Sequence, residues 1–107
     1  MKRIVIVGSV NNDLQSYLDR SPIAGETVFA KDVTLTLGGK GANESVAASR
    51  LGVPTALIGC IGNDPFAQMA LSTLHKSGVD CRLSEIPDTS TGLALIDVMA
   101  DGSNSIR

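Results

Sequence analysis

The stretch TLTLGGKGANESVAASRLG, residues 34–52, joins a strand pattern to a helix pattern through three closely spaced glycines. In its first part, apolar residues alternate with threonines, which is typical of a strand with one buried face. Small and apolar residues then predict a helix over residues 41–51, which Gly52 and Pro54 would end. Such a glycine-rich turn can bring backbone N–H groups to a ligand. In a second interpretation the glycines supply turn geometry alone.

Two uninterrupted apolar runs, Arg3–Gly8 and Thr55–Gly62, predict strands that are buried on both faces, as in a parallel sheet. A second helix is expected to begin after Asp64, a good N-cap residue, with Pro65 in the first helical position and Gly78 at its end. Apolar residues recur there at helical spacing: Phe66, Met69, Ala70 and Leu74. Met69 is expected to fill the core. The order of elements indicates an α/β domain.

The remaining segments alternate between apolar and polar residues and predict a small antiparallel sheet, separate from the parallel one. Its strands are expected within residues 13–37 and 92–107, where an Asp101-Gly102 turn would join two of them. The chain stops inside the last of these strands, and the parallel sheet has few strands. We therefore expect residues 1–107 to be the N-terminal part of a longer domain.

The composition is that of an ordinary globular protein, with 43% hydrophobic residues and a net charge of −2 over 107 residues. This charge gives no reason to expect nucleic acid or an anionic membrane as a partner. No stretch approaches the roughly 20 apolar residues of a membrane helix. Cys60 and Cys81 lack metal-site spacing and are expected to be free thiols. A cytoplasmic protein is therefore expected.

The glycine turn fits neither common nucleotide-binding motif. The phosphate-loop pattern would need glycine where Thr34 stands, and serine or threonine where Gly41 stands. The dinucleotide pattern, counted from Gly39, would need glycine or alanine where Glu44 stands.

A second polar cluster, GSVNND, directly follows the first predicted strand. Asn11 and Asp13 are two residues apart, so in an extended chain their side chains point to the same side. A carboxylate accepts hydrogen bonds and an amide both donates and accepts them, so the pair could bracket neighbouring hydroxyl groups. In a βαβ topology the glycine turn and Asn43 arrive at the same sheet edge. From the residues alone, a polyol-binding site and a simple Asx-type turn are equally good interpretations of this segment.

Together, GSVNND (8–13), AGETVFA (24–30), LGGKGANESVAASRLG (37–52) and LIGCIGND (57–64) resemble the N-terminal third of the ribokinase-like (PfkB) carbohydrate kinases. The combination of N-x-D with GGKGAN is fairly specific, and either motif alone would be weak. The resemblance implies a ribokinase-like, Rossmann-like three-layer α/β fold whose small antiparallel sheet forms a lid over a sugar. It also implies a kinase that uses ATP and Mg²⁺ to phosphorylate a sugar hydroxyl.

The resemblance assigns the sugar-contacting positions of the family to five residues: Asn11, Asp13, Gly39, Lys40 and Asn43. Gly38 and Gly41 would be mainly geometric. The family's catalytic base lies in a G-A-G-D motif, which would come downstream of Arg107, as would the ATP and monovalent-cation sites. No catalytic or metal-binding residue is therefore assigned within this chain. Two departures, the AGET segment and Asn12, leave open whether the sugar is ribose, another sugar or a nucleoside.

Two functions remain open from the sequence. The first is the sugar-binding part of an ATP-dependent kinase that is inactive as residues 1–107 alone. The second is a non-catalytic module that binds a sugar or nucleoside, or that forms a homodimer through its lid sheet.

Overall fold

The computed structural model of the chain describes residues 2–107. Strands and helices are numbered here in chain order: β1 Ile4–Val7, β2 Asn11–Leu18, β3 Asp32–Gly38, α1 Lys40–Arg50, β4 Thr55–Ile61, α2 Pro65–Lys76, β5 Asp80–Glu85, β6 Gly92–Met99 and β7 Asn104–Ile106. These bounds confirm the predicted strands and both predicted helices to within a few residues.

The chain divides into two compact units. Unit 1 comprises the chain up to Asn12 together with Leu37–Gly92. Unit 2 comprises Asp13–Thr36 and Leu93–Arg107.

Unit 1 is a parallel sheet in the order β1-β4-β5, with Ile4 opposite Thr55 and Ala56 opposite Asp80. Alternate side chains of the strands face α1 and α2, which lie together on one face of this sheet. The fully buried centre of unit 1 comprises Leu57 of β4, Ala42 of α1, and Ala70 and Leu74 of α2. Small residues on the inner faces of both helices allow this close packing.

The opposite face of the sheet is open, which corrects the prediction that β1 and β4 are buried on both faces. Val5 and Val7 of β1 are 53% and 78% exposed, and Ile58 of β4 is 42% exposed. The physical reason is that β1 is an edge strand and that both helices of unit 1 cover the same face. An uninterrupted apolar run indicates that a strand could be buried on both faces, but it does not show which helices or strands cover those faces.

This open apolar face leads us to expect that the 107-residue chain associates with itself, since exposed apolar faces and unpaired strand edges recruit partners. Light scattering at about 100 µM, in the range where such surfaces cause association, should give a mass above that of a monomer. Val7 and Ile58 are cross-strand neighbours on β1 and β4. The double variant Val7→Lys, Ile58→Lys should therefore lower that mass, and a monomeric wild type would contradict the expectation.

Helix α2 begins as predicted. The Asp64 side chain accepts a hydrogen bond from the backbone N–H of Ala67 at 2.9 Å, and Pro65 occupies the first turn. The expectation that Met69 fills the core is wrong, because this side chain is 45% exposed. The buried side of α2 is formed by Ala67, Ala70 and Leu74, and Met69 lies off that side.

The second sheet has the order β3-β2-β6-β7. Strands β6 and β7 pair antiparallel, with Ile96 opposite Ile106, across the predicted turn. Within this turn the Asp101 carboxylate accepts hydrogen bonds from the backbone and side chain of Ser103. That this sheet is a lid over a sugar stays a prediction. Neither helix found within residues 2–107 is suited, by length and apolarity, to span a bilayer.

Candidate functional site

The predicted site residues lie at the ends of three elements. They are Asn11 and Asp13 at the start of β2, Gly38 at the end of β3, Gly39 at the N-cap of α1, and Lys40, Gly41 and Asn43 in the first turn of α1. Asp13 belongs to unit 2 and the others belong to unit 1.

The glycine turn packs directly on the connection between β1 and β2. Gly39 has a φ of +91°, and a Cβ atom there would lie 2.6 Å from the carbonyl oxygen of Ser9 and 3.0 Å from the backbone nitrogen of Asn11. The same carbonyl of Ser9 accepts a hydrogen bond from the N–H of Ala42 at 3.0 Å. Both the backbone conformation and the contact therefore require glycine. The fold brings Gly39 and Asn11 together, as the sequence predicts.

Gly41 makes an equally close approach. A Cβ atom on Gly41 would lie 2.7 Å from the Cα and carbonyl carbon of Gly8, so the first turn of α1 lies against the end of β1. This contact supports the geometric role expected for Gly41. Gly38, the last residue of β3, is buried.

Asn11 and Asp13 lie in a strand, not in an Asx-type turn. Strand β2 runs over Asn11–Leu18, so the extended backbone carries the two residues on the same side, and both are half-buried. That both side chains serve one ligand stays a prediction.

Asn12, between them, has a different role that the sequence did not reveal. Its side chain is 2% exposed, and its Nδ2 donates a hydrogen bond to the backbone oxygen of Phe66 at 2.8 Å. A buried amide of this kind is costly unless it is paired. Asn12 therefore attaches the start of β2 to the first turn of α2.

The first turn of α1 presents polar groups without internal partners. It carries no acidic residue, and no side chain caps it. Within residues 2–107, the structure gives no hydrogen-bond or ion-pair partner to the side chains of Asn11, Asp13, Lys40 or Asn43. Lys40 and Asn43 are exposed. Donors and acceptors of both kinds are thus available to a ligand that carries several hydroxyl groups.

Asn43 also lines an open groove of about 300 Å³, together with Leu37, Val46, Ala47, Arg50 and Thr73. None of the other predicted site residues lines this groove. The structure therefore places Asn43 near the glycine turn along the chain, but its side chain borders a second depression between α1 and α2.

Asp64 and Thr91 form a hydrogen-bonded pair close to the start of β6. Hydrogen bonds from the hydroxyl and the backbone N–H of Thr91 hold the pKa of the Asp64 carboxyl below its ordinary value. The residue therefore stays an ionised acceptor at neutral pH. The sequence identified Asp64 only as a helix cap, since nothing local points to its contact with Thr91.

Across residues 2–107, no cluster of three or more His, Cys, Asp or Glu residues could hold a metal ion.

Comparison with known proteins places this geometry in context. Residues 1–107 match the family described as pfkB family carbohydrate kinase. The chain is 40% identical over 107 residues to a ribokinase of Bacillus subtilis (strain 168), a match that covers 99% of the chain and 36% of that protein. It thus spans about a third of the length of the curated relatives it matches.

Solved structures give the same result for the fold. The ribokinase of Giardia lamblia superposes with a TM-score of 0.92 at 31% identity and covers 100% of the chain and 35% of its own length. The Arabidopsis thaliana ribokinase, solved as a complex with ribose and ATP, superposes with a TM-score of 0.91 at 33% identity. That match covers 98% of this chain and 35% of the other. The predicted ribokinase-like fold is confirmed. Residues 2–107 contain a parallel sheet of three strands, a second sheet of four strands, and two helices.

Proposed function

Because the chain belongs to the pfkB family of carbohydrate kinases, we propose that it is the sugar-binding N-terminal part of an ATP-dependent kinase that transfers a γ-phosphate to a sugar hydroxyl. The observation that carries this proposal is the contact between the glycine turn and the start of β2. Gly39 lies against the backbone of Asn11, and the polar side chains around this contact have no partners within residues 2–107.

The proposed site binds the sugar through complementary hydrogen bonds. The carboxylate of Asp13 accepts from sugar hydroxyls, and the amide of Asn11 donates to one hydroxyl and accepts from another. The backbone N–H groups of Gly39, Lys40 and Gly41 donate to sugar oxygens. Lys40 adds a side-chain donor at the same turn. Asn43 adds one where its side chain turns away from the groove that it lines. A hydroxyl held in a fixed orientation attacks more readily, since positioning lowers the barrier to transfer.

Phosphoryl transfer itself needs groups that residues 2–107 do not provide. ATP supplies the phosphoryl group, and Mg²⁺ would neutralise charge that develops on it. The general base and the nucleotide site are proposed to lie in the part of a full-length relative that follows this chain. Here, full-length protein means the protein in which this chain continues to the length of its ribokinase relatives.

Ribose is the first sugar to test. The relatives named above are ribokinases, and one of them was solved with ribose and ATP bound. Other pentoses, hexoses and nucleosides remain candidates. Of the two departures from the family pattern, Asn12 does not bear on this choice, because its amide donates to the backbone oxygen of Phe66.

A second candidate function is a non-catalytic module that binds a sugar or forms a homodimer through the sheet β3-β2-β6-β7. The observation that favours it is that β3 and β7 are the edge strands of this sheet. Their outer backbone groups can pair with another chain. For either function we propose the cytoplasm as the compartment, because Cys60 and Cys81 are both free thiols.

We expect the full-length protein to release ADP from ATP in the presence of Mg²⁺ and one sugar of a panel of pentoses, hexoses and nucleosides. The 107-residue chain should give no turnover with the same panel, because it lacks the base and the nucleotide site. A coupled assay for ADP measures both, with a reaction without protein as the control. Turnover by the 107-residue chain, or none by the full-length protein with any of these sugars, would refute the proposal.

A further inference from the structure

Asp64 does more than cap a helix. Its Oδ1 atom accepts hydrogen bonds from the backbone N–H of Ala67 at 2.9 Å and from the hydroxyl of Thr91 at 2.8 Å. Its Oδ2 atom accepts from the backbone N–H of Thr91 at 2.8 Å. A cap needs only the first of these contacts. The other two attach a residue 27 positions further along the chain.

Thr91 is the point at which an otherwise exposed segment of unit 1 becomes buried. Residues 86–90 are exposed, whereas Thr91 is 3% exposed. Its hydroxyl also accepts a hydrogen bond from the N–H of Gly62 at 3.0 Å. Every polar group that Thr91 buries in this contact is therefore paired, and the position of its backbone is fixed.

Gly92 follows Thr91 and lies against the side chain of Asn11. A Cβ atom at Gly92 would overlap Oδ1 of Asn11 and would lie 3.0 Å from its Cγ. The backbone of Gly92 thus forms one wall of the space in which the Asn11 amide lies. A shift of Gly92 would change where that amide points.

We propose that Asp64 is a positioning residue of the sugar site: it holds Thr91, Thr91 fixes Gly92, and Gly92 sets the orientation of the Asn11 amide. This inference rests on the proposed function, since it concerns the site to which Asn11 is assigned. It explains why the loop after β5 is tied to the N-terminus of α2 by a charged acceptor, although the loop itself is exposed.

The first turn of α2 also contacts Asn12. Asn12, which follows Asn11, donates to the backbone oxygen of Phe66, two residues after Asp64. One helical turn therefore anchors both Asn12 and Thr91. Asn12 follows Asn11 and Thr91 precedes Gly92, so each anchor is next in the chain to one of the two residues whose contact fixes the orientation of the Asn11 amide.

The test separates the cap from the attachment to Thr91. In Asp64→Ser, the serine hydroxyl can still accept from the N–H of Ala67, because serine and aspartate cap helices about equally well. It cannot replace the carboxylate oxygen that accepts from the N–H of Thr91. In the full-length protein, Asp64→Ser should raise the dissociation constant of the sugar that gives turnover in the panel by roughly tenfold, since small displacements of binding groups are costly.

The dissociation constant of a non-hydrolysable ATP analogue should stay unchanged in Asp64→Ser. Calorimetric titration of the folded protein measures both constants. The matched control is Thr89→Ala, which lies in the same loop and loses only a hydrogen bond to the oxygen of Pro87. This control should bind the sugar as the wild type does.

A double-mutant cycle shows whether Asp64 acts through Asn11. If it does, Asp64→Ser should have little further effect on sugar affinity in the Asn11→Ala background. The same loss in both backgrounds, or no loss in the single variant, would overturn the proposal. An Asn11→Ala variant with unchanged sugar affinity would instead refute the site itself, so the two failures are distinguishable.

Gly92→Ala tests the last contact from the other side, with Asp64 intact. The methyl group would displace the end of the flexible Asn11 side chain and not the backbone, so the midpoint of thermal unfolding should change little. Sugar affinity should fall by roughly tenfold, as in Asp64→Ser. Unchanged affinity in Gly92→Ala would show that the orientation of Asn11 does not depend on Gly92, and the proposal would fail even if Asp64→Ser did not fold.

Discussion

In the full-length protein, replacing Asp13 with alanine should weaken sugar binding by about 10²-fold or more and leave the binding of ATP nearly unchanged. The carboxylate is proposed to accept hydrogen bonds from two sugar hydroxyls. A hydrogen bond to a charged group contributes about 1.5–3 kcal/mol, so two of them account for a loss of this size. Calorimetric titration of the sugar into the folded variant gives the dissociation constant directly.

Asp13→Asn is the matched control for this variant. The amide keeps one acceptor and turns the other into a donor, so its affinity should lie between those of the wild type and of Asp13→Ala. If Asp13 only stabilises the strand, the alanine variant should unfold at a lower temperature, and its folded fraction should bind the sugar as the wild type does. That result would remove Asp13 from the site.

Replacing Gly39 with alanine should lower the free energy of unfolding by about 2–6 kcal/mol. Two effects add. The backbone conformation of Gly39, with φ of +91° and ψ of 134°, is rarely adopted by residues other than glycine and costs an alanine roughly 1–3 kcal/mol. Forcing a methyl group into a closed contact costs roughly 1–3 kcal/mol more. The contact is closed because the new Cβ would lie 2.6 Å from the backbone oxygen of Ser9, an atom that cannot rotate away. Urea-induced unfolding of the full-length protein measures the change.

Gly52→Ala shows the cost of a positive φ where no close contact adds to it. Gly52, just beyond the other end of α1, has a φ of +85° and no atom within 4 Å of the position of a Cβ. It should therefore show only the cost of the backbone conformation, roughly 1–2 kcal/mol. Equal losses in the two variants would show that the glycine turn does not pack tightly on the start of β2, which would withdraw the main observation behind the proposed function.

The elements of the fold were predictable because their signals are local. The periods of apolar residues predicted the strands and helices, and Asp64, Pro65 and Gly78 predicted the limits of α2. The burial of each face was less predictable. Val7 is exposed although it lies in a strongly apolar run, because burial depends on which layers cover a strand. The prediction that Met69 is buried was wrong because more than one face of a helix fits the same apolar spacing.

The candidate site was only partly predictable. Because β2 extends from Asn11 and Gly39 packs against it, the proximity of the two motifs follows from the topology. The roles of the five assigned residues in binding a sugar stay predictions. The contacts of Asn12 with Phe66 and of Thr91 with Asp64 could not be predicted, because each joins residues that are far apart in the chain and common in other roles.

Strands β2 and β6 lie side by side, although all of Leu37–Gly92 separates unit 2's two segments along the chain. In an unfolded chain, pairing them would close a long loop, and the entropy cost of closure rises with loop length. Once unit 1 has folded, Asn11 and Gly92 already touch, so little of that cost remains. During synthesis, the edge of β2 that pairs with β6 therefore stays unpaired until β4 and β5 have been made and β6 follows them.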